Sequence, residues 1–320
     1  MYRSLWSCGF LVVLLVAFEI WARLAYSSSF IFNANNVQSI MLAATQPLVV
    51  ALGMTFIIIA GGIDLSVAFT VGLASVVATQ MMSILDPLIG VWGAMLVSCV
   101  LAIMVALIPG WINGWLVAIL GVPPFIATLG MYGVARGAGY LISGGHTVPS
   151  DNPVLDGFGN NNLFGVPMPV LAVVLLVLLM HYVLAYTRFG QYTLAIGGSR
   201  TAAIRAGINV PRHTIILHMT AAGMAAIAGL IYAARFSGGN AQAGEPSMLD
   251  SIAAVVIGGT SLFGGEGSIP GTVIGALIIA VIQFGLVFID VAPFWQFVAV
   301  GAVIVLAVVI DQSRRGIRAS

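Results

Sequence analysis

The sequence predicts an all-α polytopic membrane protein with about ten transmembrane helices, some of them broken or re-entrant. Three observations carry this. The chain has 320 residues, of which 60% are hydrophobic and 7% charged. A soluble domain carries about 25% charged residues, so a water-facing surface could not be covered. Apolar runs of about 20 residues, enough to cross a bilayer core of about 30 Å, recur along the whole chain. Gly-Gly pairs and a Pro-Pro pair interrupt several of these runs.

The expected spans are residues 5–25, 37–60, 63–82, 87–108, 112–143, 168–187, 213–235, 248–264, 268–289 and 293–310, in one membrane domain covering 1–320. The opening "MYRSLWSCGFLVVLLVAFEIWARLAY" has the charged start and apolar run of a secretory signal. No small-residue cleavage site follows and the run reaches residue 25, so it is expected to stay as the first span. Residues 112–143 are too long for one straight crossing, and "GVPPF" (121–125) breaks the helix ladder. A short helix, a break and then the crossing are expected there. Residues 248–264 are short for a span and end in "GGTSLFGGEG".

Orientation follows from arginine, because all 11 basic residues are arginine. Arg188, Arg200, Arg205 and Arg212 cluster in 188–212, Arg314, Arg315 and Arg318 lie near the end, and Arg3 near the start. Ten crossings place all three regions and both termini in the cytoplasm. The loops 144–167 and 236–247 then lie outside. The first of these is rich in Gly, Asn and Pro and carries Asp151 and Asp156 without a basic residue. A faint internal echo links "IIAGGIDLS" (58–66) with "VVIGGTSLF" (255–263). Transporters are often built from repeated halves with interrupted helices near the solute route.

Few charges fall inside the apolar runs. Asp64 follows Gly61-Gly62, and an ionisable group at that depth lines a pathway or is paired. Two readings stay open, a cap on the next helix together with Ser66 and a place in a translocation path. Arg136, within the fifth span, can snorkel outward or pair with an acid such as Asp64. Glu245-Pro246-Ser247 reads as a helix start, with acid favourable to the dipole and Asp250 one turn inside. Beyond that structural role, Glu245 and Asp250 suit contact with a docked external protein or a sugar hydroxyl.

Other chemistry is poorly supported. A chain without lysine has no phosphate-binding G-x-x-x-x-G-K-[ST] loop. His146, His181, His213 and His218 are scattered, Cys8 and Cys99 lie in separate apolar stretches, and no metal or disulfide pattern arises. No nucleophile elbow or carboxylate pair suggests an enzyme. The cytoplasmic stretch 188–212 contains a short expected helix, with Ser199 as N-cap and Gly207 as its stop. It is either a connector or a docking element.

Five segments then carry a family pattern in order along nearly the whole chain: "ALGMTFIIIAGGIDLSV" (51–67), "NGWLVAILGVPPFIATLGM" (113–131), "RGAGYLISGG" (136–145), "AIGGSRTAAIRAGINV" (195–210) and "LDSIAAVVIGGTSLFGGEGSIPGTVIGALI" (249–278). They resemble the permease subunits of ribose-type ABC sugar importers. The resemblance implies a non-catalytic pore subunit in the inner membrane that moves a pentose, hexose or similar solute by alternating access. It implies two permease copies or a paralogous pair, two ATPase subunits that bind the ATP, and an external sugar-binding protein; the chain itself needs no cofactor. By likeness, Gly197, Gly198, Ala202, Ala203, Arg205, Ala206 and Gly207 belong to the helix that docks into the ATPase. The same likeness implies a translocation pathway at the segments of Asp64, Ser66, Asn113, Thr128, Thr260 and Ser261, and Arg136 is expected to join it. The chain departs from the family pattern at Ala68, where glycine is usual, and at Arg200, where an acid is usual. The rival expectation is a secondary transporter driven by an ion gradient, with Asp64 as the ion ligand.

Overall fold

The computed structural model describes residues 2–292 and 294–319. Pro293, the first residue of the last expected span, lies outside the described residues, as do the side chains of Arg3, Arg314, Arg315 and Arg318. The chain is mostly helical. Six of the described helices are long and apolar enough to cross a membrane: α1 (Tyr2–Tyr26), α2 (Ala34–Ile59), α3 (Val67–Ala118), α6 (Met168–Tyr186), α9 (Val210–Phe236) and α11 (Ile269–Phe288). The rest are α4 (Pro124–Ser143), α5 (Pro153–Asn160), α7 (Arg188–Gly198), α8 (Arg200–Arg205), α10 (Glu245–Ile257) and α12 (Phe294–Ala319).

Two differences from the expected spans have local causes. α3 is a hairpin. Gly90 adopts φ 74, ψ 165, which ends one helical arm and starts another. Asn113 bonds Ser66 at 2.8 Å, although 47 residues of straight helix would separate them by about 70 Å. The reversal is therefore at Gly90 and not in 83–86, and the short helix expected from residue 112 is the end of the second arm. α4 follows the break at 119–123 and starts with proline in its first turn, where no amide is needed. The second difference is α10. With 13 residues it is about 20 Å long, too short to span, and the chain from 258 to 268 is irregular.

α10 lies beside the second half of α2. Ser251 Oγ donates to Pro47 O at 2.9 Å, and Gln46 Nε2 donates to Ala243 O at 2.6 Å. Gln46 and Pro47 are the midpoint of α2, so the segment 240–247 lies at mid-helix depth. It reaches there from the end of α9 through a short strand and a turn at 241–244, and the strand, β4 (Gly238–Gly239), pairs with β1 (Val148–Pro149). A second short pair joins β2 (Asn162–Leu163) to β3 (Val166–Pro167).

α9 is the central post. Its buried face is rich in small residues, including Ala221, Ala222, Ala225, Ala226 and Gly229. Small residues let helix backbones approach closely where lipid supplies no hydrophobic drive. A Cβ on Gly53 of α2 would lie 2.8 Å from Ala221 Cα, and one on Gly110 of α3 would lie 2.7 Å from His218 O. A Cβ on Gly229 of α9 would lie 2.4 Å from Val71 O, so both arms of α3 and α2 sit directly on α9. The main core joins α2, α6, α9 and α10 through residues such as Leu52, Phe56, Leu184, Leu217 and Val255.

Candidate functional site

The break after α2 builds a buried polar cluster. Gly61 takes φ +83, a left-handed conformation that glycine adopts without strain, and the chain leaves the helix axis. Asp64 and Ser66 follow, both nearly inaccessible to solvent. Asp64 Oδ1 accepts from Ser66 N at 2.9 Å and Ser66 Oγ at 2.6 Å. Its Oδ2 receives His218 Nδ1 from α9 at 2.9 Å, with Asn113 Nδ2 at 3.5 Å. Asn113 also donates to Ser66 Oγ at 2.8 Å. A carboxylate that only accepts fixes the hydrogen on His218 Nδ1. Thr128 adjoins the cluster, its hydroxyl donating to Ile63 O at 3.3 Å. Four residues expected along the chain are thus brought together.

Two expectations for this region are corrected. Ser66, not Asp64, occupies the N-cap position of α3, and no side chain caps that turn. The Asp64 carboxylate instead ties the loop to α9 and α3. Arg136 is not its partner, since that guanidinium lies over the rings of Phe69 and Tyr140, at 5.2 and 5.8 Å. His218 takes that place. Sequence reading passed over His218 because its partner lies 154 residues away and no local pattern joins them.

A cavity of about 100 Å³ leads from this cluster toward α7 and α8. Gly61, Gly62, Val117, His218, Ile196 and Arg200 are among its lining residues. Beside it, three Gly-Gly segments meet. Gly265 N donates to Ile59 O at 2.8 Å. A Cβ on Gly197 would stand 1.7 Å from Ile59 O and 2.5 Å from Gly265 N. The C-terminus of α7 therefore touches both the α2 break and the α10 break, and no side chain fits between.

In α8, Ser199 Oγ accepts from Ala202 N at 3.3 Å, and Gly207 takes φ +82 just past the end. Gly198, Ala202, Arg205, Ala206 and Gly207 are exposed, while Ala203 is buried against Ile196 and Val210. Ala203 thus holds α8 to the body and offers no surface to a partner. Arg200 is exposed at the cavity. Ala68 is buried with Phe69 and Ala135, so its methyl group is accommodated by packing.

Thr260 and Ser261 lie apart from the Asp64 cluster, in the second break. Both are buried, and Thr260 Oγ1 has no hydrogen-bond partner among the described residues. Glu245 is exposed at the start of α10. Asp250 is buried and accepts from Gln283 Nε2 of α11 at 2.9 Å, so it is not available to a docking protein. Among the described residues no group of three or more metal-binding side chains gathers.

The sequence pattern of a family described as "branched-chain amino acid transport system / permease component" matches residues 36–308. The ribose import permease protein of Escherichia coli (strain K12) is 37% identical over 309 residues, 95% of this chain and 93% of the relative. The fructose import permease protein of Rhizobium meliloti is 38% identical, over 85% of this chain and 76% of the relative. A probable ABC transporter permease protein of E. coli (strain K12) is 37% identical, over 96% and 89%. The chain belongs to this permease family.

Proposed function

We propose, from membership of this permease family, that the chain is the membrane-spanning subunit of an ATP-driven, binding-protein-dependent importer that passes a sugar by alternating access. The observation that carries the proposal is similarity over most of the chain to import permeases named for ribose and fructose. The geometry supports it. A buried polar break sits at a cavity, and the cavity and the glycine junction connect that break to α7 and α8. Movement of α8 has a short route to both broken segments, through Gly197.

In this reading the ten crossings are α1, α2, the two arms of α3, α4, α6, α9, α10, α11 and α12. The eighth combines the non-helical segment 237–244 with the half-helix α10. Both termini and α7–α8 face the cytoplasm, across the inner membrane. The exposed surface of α8, with Arg205 and Gly207, receives a separate ATPase subunit, which binds the ATP. An external binding protein delivers the solute, and a second copy or a paralogue completes the pore. Asp64, Ser66, Asn113 and Thr128 line or gate the inner part of the route, and Thr260 and Ser261 its neighbouring break. An ion-driven mechanism would use Asp64 as a ligand, but both of its oxygens are engaged by donors of the protein.

The test is purification of the tagged chain from its native membrane in mild detergent, with co-purifying subunits identified by mass spectrometry. An ATPase is expected with the wild type and lost with Arg205→Glu, both proteins eluting as single species. A well-folded wild type that repeatedly emerges with no ATPase would overturn the importer reading.

A further inference from the structure

Some of the polar groups at mid-membrane depth are not buried. The Gln46 bond to Ala243 O fixes 240–247 at the midpoint of α2. There Gln242 and Glu245 are exposed. The middle of α4 presents exposed Arg136 on the same face, because the Gln242 amide donates to the Tyr140 hydroxyl one turn along α4. Met248 and Tyr132 pack with Phe69 beneath them. The Arg136 guanidinium is held over Phe69 and Tyr140. Neither it nor the Glu245 carboxylate makes an ion pair or side-chain hydrogen bond among the described residues. A bare cation and a bare carboxylate are both costly in hydrocarbon, so lipid does not cover this face.

We propose that Arg136, Tyr140, Gln242 and Glu245 form a water-filled binding face for a neutral polyhydroxylated solute. Its hydroxyl groups donate to the carboxylate and accept from the guanidinium, while the tyrosine ring gives an apolar wall for a sugar's C–H surface. Few precisely placed polar groups on an apolar, aromatic wall are the general make-up of small-molecule sites. The face lies outward of the Asp64 cluster, since Ala241 packs on Gly72, about 9 Å along α3 from Ser66. The proposal rests on the permease reading and assigns Glu245 to the solute, not to a docked protein.

The test uses single cysteines in a Cys8→Ser, Cys99→Ala background, in native membranes with the whole transporter present. Gln242→Cys and Glu245→Cys are compared with Leu141→Cys, a position 86% exposed near the end of α4. A membrane-impermeant methanethiosulfonate is expected to modify positions 242 and 245 about tenfold faster than 141. Excess ribose, fructose or ribitol should slow both reactions, and leucine should not. Equal, slow reaction at all three positions would overturn the proposal, as would a spontaneous disulfide between copies through position 242, which would make the face a subunit interface. Protection by leucine, or by none of the polyols, would overturn the solute class. None of these outcomes depends on whether an ATPase co-purifies, so the importer reading stands or falls separately.

Discussion

The break after α2 and the break after α10 start alike and end differently. Each follows a buried helix ending in isoleucine, Ile59 and Ile257, and each turns on a glycine of positive φ, Gly61 at +83 and Gly259 at +91. They are joined to each other by the Gly265 to Ile59 bond. The first then places a carboxylate that bonds the loop, α3 and α9 together. The second places Thr260, whose buried hydroxyl has no hydrogen-bond partner among the described residues, and in the helix before it Ala254 O packs closely on Gly275 of α11. One backbone device thus carries the Asp64 carboxylate at the first break and the Thr260 hydroxyl at the second. A shared glycine pattern specifies where the chain bends, while the next few side chains decide how firmly the bend is held.

The largest expected effect is at the clamp. Removing the partner of a buried hydrogen-bonded group costs about 1–3 kcal/mol, and more where the group left behind is a carboxylate. His218→Leu should therefore lower the melting temperature of the purified protein steeply. His218→Asn, whose amide nitrogen stands near the place of Nδ1, should recover most of the loss. If both substitutions melt like the wild type, the clamp does not exist. The next effect is at the junction of the two breaks. Gly197→Ala puts a methyl group on the Ile59 carbonyl, and overpacking of this kind costs typically about 1–3 kcal/mol. The same thermal measurement, with stimulation of the partner ATPase by the loaded binding protein, would show whether the junction also carries coupling. The smallest effect has the opposite sign. An unsatisfied buried polar group costs about 1–3 kcal/mol, so Thr260→Val should leave stability unchanged or raise it by about 1 kcal/mol. A marked loss of stability would mean that the two breaks are held alike. Lost transport with stability retained would place the hydroxyl on the solute route.

Features written in neighbouring residues were legible in the sequence. The Gly61-Gly62 break, the oddity of Asp64, the Pro123-Pro124 break, and the Ser199 cap with the Gly207 stop each depend on a few adjacent side chains. What was hidden depends on distance along the chain. His218 is one apolar-helix histidine among four until α9 is set against the α2 break. Arg136 resembled a partner for Asp64 because both are charges in apolar runs, and only packing shows aromatic rings beneath it. The hairpin tip is expected at 83–86, between two apolar runs, while the reversal waits for the positive φ of Gly90. The span expected at 248–264 merges a half-helix with irregular chain, because composition cannot separate an apolar helix from apolar residues in turns.

The non-helical segment that leads into α10 has a consequence for how the protein is made. A stretch that is not helical leaves amides and carbonyls without partners in its own backbone, and hydrocarbon offers none. Here two of the carbonyls take partners from earlier helices, Gln46 for Ala243 and Ser75 for Asn240, at 2.6 and 3.1 Å. A ribosome-bound chain delivers its N-terminal parts first. α2 and α3 are therefore already in the bilayer when residues 237–257 emerge, and the half-helix enters a groove prepared for it instead of entering lipid alone.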